Sequence, residues 1–104
     1  MAHDKIDQLE KRTGEDVLYD FDFEDHGAIS ERGAVIASVT SVTFSPVTDP
    51  VLVWGTPSHN SASRVQVRVS GGLNKNVYDG VCLAVTDKGD TIQMEGKLYV
   101  FDPD

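Results

Sequence analysis

From residue 15 onward, apolar and polar side chains alternate with a period of two. In "DVLYDFDFED", Val17, Tyr19, Phe21 and Phe23 fall on one side, and Leu18, Asp20, Asp22 and Glu24 on the other, the signature of a half-buried strand. "AVIASVTSVTFSP" follows Gly33, is rich in β-branched residues and stops at Pro46; "PVLVWG" is a shorter run ended by Gly55. "TPSHNSAS" holds turn formers without periodic apolar residues and predicts a loop. "RVQVRVS" sets Val65, Val67 and Val69 against Arg64, Gln66 and Arg68. "GGLNKN" predicts a turn, "VYDGVCLAVT" a strand, and "DKGD" a tight turn on Gly89. "TIQMEGKLYVF" closes with Ile92, Met94, Leu98 and Val100 on one side.

About six short strands at this spacing predict an antiparallel sandwich or barrel. In a two-sheet sandwich the inward residues would include Tyr19, Phe21, Val65, Val67, Leu83, Val85, Ile92 and Leu98. Before this pattern begins, Asp4 to Thr13 is polar, with Ile6 and Leu9 three apart, Asp4 placed as an N-cap and Gly14 as a stop. That spacing predicts two or three helical turns, a length marginal in isolation. The expected organisation is therefore an arm or short helix over residues 1–14, docking through Ile6 and Leu9, and a β-sandwich domain over 15–104.

The chain has 104 residues, room for one modest core. Its 17 acidic against 9 basic residues give a formal charge of −8, which opposes direct attraction to nucleic acid or to anionic lipid. No apolar run approaches the roughly 20 residues of a bilayer-spanning helix, and the N-terminus lacks the apolar stretch of a secretory signal. Cys82 sits where a small hydrophobe is expected and reads as a structural thiol.

Candidate chemistry is thin. Asp20, Asp22 and Glu24 point the same way along a strand, as a calcium site could begin, but calcium takes six to eight oxygens from a wrapping loop that this sequence does not offer. The carboxylates read instead as a solvated strand face or a subunit contact that guards an edge. His3, His26 and His59 stand in no metal-ligand spacing, and no cofactor is indicated. Ser58 and His59 adjoin in a polar loop without a nucleophile-elbow pattern, so no enzyme is expected. Trp54 reads as a core plug at the rim of the sandwich; the alternative is an exposed platform of a carbohydrate-binding module.

Taken in order, "LYDFDFED", "VIASVTSVTF", "VQVRVSGGLNKNVY" and "VTDKGDTIQMEGKLYV" resemble a family of small tailed-phage structural proteins of the fiber-tail adaptor type. The pattern is matched by Tyr19 and Asp22, Ile36 to Thr40, Ser70 to Gly72, Tyr78, and Thr86 to Thr91, within residues 15 to 102. Members often carry a further glycine three places beyond the Gly-Gly pair, where this chain has Lys75. The resemblance implies an immunoglobulin-like sandwich, no catalysis, and a place in the virion, assembled in the host cytoplasm, among portal, tail, neck and fiber proteins. It also implies a ring of identical copies, in which two different surfaces of each copy meet head to tail. The acidic stretch with Asp20, Asp22 and Glu24 lies apart in sequence from Arg64 and Arg68, so complementary charge is expected to set register between neighbours.

Overall fold

The computed structural model describes residues 7–59 and 63–103. Seven strands form two packed sheets, an all-β sandwich: β1 (Asp7–Lys11), β2 (Asp16–Asp22), β3 (Ile36–Ser45), β4 (Leu52–Trp54), β5 (Arg64–Gly71), β6 (Asn76–Thr86) and β7 (Thr91–Val100). The larger sheet has the order β1-β7-β6-β3 and the smaller one β2-β5-β4. One short helix, α1 (Gly27–Ser30), follows β2, with His26 as N-cap; its Nδ1 accepts from the Ala28 N–H at 3.1 Å.

All six strands expected from alternation are present, and the seventh replaces the expected N-terminal helix. Residues 7–11 lie along β7, in register from Asp7↔Gly96 to Lys11↔Val100. A helix of that length is marginal, whereas the open edge of β7 supplies backbone partners, and Leu9 packs against the core. The pairing is parallel, in a molecule whose other strand pairs are antiparallel. The cause is the route of the chain, which leaves β1 through a turn, Glu15 N–H to Arg12 O at 3.1 Å, and enters β2 in the opposite sheet. Ile6 lies outside the described residues.

The core is built from Tyr19, Phe21, Val65, Val67 and Val69 of the smaller sheet facing Phe44, Tyr78, Cys82, Ile92, Met94 and Leu98 of the larger. Each fully buried large side chain contributes roughly 1.5–3 kcal/mol relative to exposure. Tyr19, Phe21 and Phe44 form an aromatic cluster, with ring centroids 4.8 Å (Tyr19 to Phe21) and 5.6 Å (Tyr19 to Phe44) apart. The expected inward phase of β6 is reversed: Tyr78, Gly80, Cys82, Ala84 and Thr86 are buried, while Leu83 and Val85 lie half-buried on the outer face. β6 runs between β7 and β3 and is apolar on both faces, so alternation does not choose the inner one. Small residues point inward because the aromatic cluster fills the space opposite them. A Cβ on Gly80 would stand 2.7 Å from Phe44 Cε2 and 3.1 Å from Phe21 Cζ.

Candidate protein interface

Antiparallel pairing of β2 with β5 brings most of the expected contact residues onto one surface. Its register, Leu18↔Arg68, Asp20↔Gln66 and Asp22↔Arg64, turns them all to the outer side of the smaller sheet. Arg64 Nη1 lies 3.2 Å from Asp20 Oδ2, Arg64 Nη2 3.7 Å from Asp22 Oδ2, and Arg68 Nη1 3.6 Å from Asp16 Oδ1. Glu24 is exposed beyond the strand end, where its N–H donates to Asp22 Oδ1 at 2.9 Å. Acidic and basic residues that are distant in sequence are thus cross-strand partners within one chain. Exposed pairs of this kind are worth roughly 0–1 kcal/mol and weaken with salt. Among the described residues no group of three or more His, Cys, Asp or Glu is placed to hold a metal ion.

Trp54 takes the core-plug role. Its ring packs edge-on against Phe44, with centroids 5.3 Å apart, and its indole N–H donates to the Val42 carbonyl at 3.0 Å, tying β4 of one sheet to β3 of the other. Ser58 is joined by backbone hydrogen bonds to Gln66, which makes the backbone at Ser58 an extension beside β5. Cys82 is buried, and burial pushes its thiol up to about 12, away from the reactive thiolate.

At one end of the sandwich, three connections and the segment after β7 meet and are cross-linked. Gly71 (φ 71°) and Gly72 (φ 99°) turn the chain out of β5, and a Cβ on Gly71 would stand 2.8 Å from the Val51 carbonyl oxygen. Gly72 N–H donates to that carbonyl at 3.1 Å. The hydroxyl of buried Tyr78 accepts from Leu73 N–H at 2.9 Å and bonds Thr48 Oγ1, holding the β3–β4 connection against the β5–β6 turn. Lys75 continues that turn at φ 67°, and its N–H donates to Val100 O. A lysine therefore occupies here the left-handed backbone that glycine adopts most readily.

The same end secures the first strand. Lys11 Nζ donates to Gly71 O and Arg12 O, each at 2.6 Å, and burial pulls its pKa below the ordinary lysine value against the opposing pull of Glu15, Asp102 and Asp16. Asp102 accepts from Thr13 N–H at 2.9 Å and Thr13 Oγ1 at 2.7 Å. Those two bonds hold its carboxyl below the usual carboxylate value, with burial opposing. Asp102 N–H in turn donates to Asn74 Oδ1 at 2.7 Å. Sequence reasoning found Gly71 and Gly72 as a turn and reached Tyr78 only through the family resemblance; for Lys11, Thr13, Thr48 and Asp102 the chain offers no local pattern.

No curated protein matches the chain. Residues 11–99 match the family Gp77, described as podophage GP4 fiber-tail adaptor protein gp77. The match covers β2 through nearly all of β7, including the glycine turn, Tyr78 and the charged face. With that span on a two-sheet β-sandwich, the chain belongs to the podophage fiber-tail adaptor family.

Proposed function

We propose that this protein joins fibers to the tail of a podophage virion by protein–protein contact, without a catalytic step. The observation that carries the reading is the family match over residues 11–99, which spans nearly all of the sandwich. The charged outer side of β2 and β5, with Asp20, Asp22, Glu24, Arg64 and Arg68, together with the Ile6 and Leu9 segment, serves as a contact surface between neighbouring copies in a cyclic assembly. Its ion pairs are exposed and individually weak, so a neighbour exchanges partners with them at low cost and gains register from their order.

Phage carrying a stop codon early in this reading frame tests the proposal. Electron microscopy of the particles is expected to show filled heads and tails that lack fibers, restored when the chain is supplied from a plasmid. Particles with a full set of fibers in the absence of the chain would reject it.

A further inference from the structure

The exposed large apolar side chains are not scattered. Val47, Val51, Leu73, Val77 and Phe101 all sit at the cross-linked end described above, and Leu18 and Val53 adjoin it on the outer side of the smaller sheet. Among the described residues only Val35 stands at the opposite end, beside α1 and the 87–90 turn. Val47 is 87% exposed, on a connection stopped from wandering by the bond between Thr48 and Tyr78. Leu73 and Phe101 are carried by segments tied through Gly72 to Val51, through Phe101 N–H to Lys11 O, and through Asp102 to Asn74. The loops are joined to one another before anything binds, so little ordering entropy remains to be lost on docking.

We propose that this end is a preorganised docking platform for a different protein, one that presents an apolar centre ringed by lysine and arginine. Exposed apolar side chains gathered at one end, on and beside connections that are hydrogen-bonded to one another, fit a protein surface. Its rim carries Glu10, Glu15, Asp16, Asp49 and Asp102 against Arg12, Arg68 and Lys75, an acidic excess on a chain of net charge −8. A second copy would bring the same acidic excess to that rim, whereas a predominantly cationic rim pairs with it. The platform adjoins the β2–β5 face at Asp16, Leu18 and Arg68 and is centred on the connections beyond the strand ends, so the molecule offers two neighbouring contact regions with different chemistry. The inference rests on the adaptor reading and assigns the chemistry of one of its partners.

The test supplies variants from a plasmid during infection by phage that lack the gene, and counts the chain in purified particles by quantitative mass spectrometry. Val47→Asn combined with Val51→Asn is expected to lower incorporation about tenfold or more, and Asp49→Lys severalfold, while Val35→Asn at the far end incorporates like the parent. Unfolding midpoints of the purified variants within the parent's range show that folding is intact, since the altered side chains are exposed. Platform variants that enter particles at the parent level overturn the inference, and so does equal loss of Val35→Asn. Sedimentation showing a parent dimer that Val47→Asn with Val51→Asn dissolves identifies a second copy as the occupant and overturns the assigned partner. Absence of the parent chain itself from particles defeats the adaptor reading, and this inference with it.

Discussion

Lys75 shows how a single backbone angle can outweigh a side chain. At φ 67° an L-residue with a Cβ costs about 1–2 kcal/mol relative to the right-handed region, and glycine escapes that penalty while losing some unfolded-state freedom. Lys75→Gly is therefore expected to raise stability by about 1 kcal/mol, seen as a higher denaturant midpoint at unchanged slope. Gly71 lies under the opposite constraint, because a Cβ there would meet the Val51 carbonyl at 2.8 Å as well as adopt a positive φ. Residue identity was readable wherever local geometry demanded it: the Gly-Gly turn, Gly89 and Pro46 were all recognisable as stops or turns. The inward phase of β6 was not readable. Its small inward residues Gly80 and Ala84 make sense only once Phe44 and Phe21 are known to stand across from them.

Among the elements, strands with one apolar and one polar face were legible in both place and phase; β6, apolar on both faces, was legible as a strand but not in its phase, and β1, without alternation, was not legible. β2 and β5 alternate cleanly because the smaller sheet shows water only one side, so Tyr19, Phe21, Val65 and Val67 were placed inward from sequence and are buried. β1 has no such pattern; what makes it a strand is the edge of β7, a partner more than eighty residues away. The charged residues of β2 and β5 were identified as a set, but their pairing within one chain depends on a register that sequence separation conceals. Connections depend on Tyr78, which fastens two of them with one hydroxyl. Tyr78→Phe leaves the Leu73 N–H without that acceptor in a partly buried site and releases Thr48. The expected cost is about 1–3 kcal/mol in equilibrium unfolding, with the core otherwise retained.

For the whole molecule, the two chain ends are coupled through Asp102 and Thr13, and that coupling has a pH signature. Because the folded-state pKa of Asp102 is depressed, its contribution is present above the ordinary carboxylate value of 3.8 and is lost as pH falls through the lower folded-state value. Asp102→Asn is expected to lower the urea midpoint at neutral pH. The gap from the parent should then narrow steadily in acid below pH 3.8, as the parent's own carboxyl takes up its proton. A constant gap down to pH 2 would show that the clamp adds nothing through its charge. Trp54 gives the sandwich a further property. As the sole indole, wedged against Phe44 and hydrogen-bonded across the layers, it acts as a built-in optical gauge: its emission colour registers the sheets parting, and stays silent when only the strap along β7 peels away.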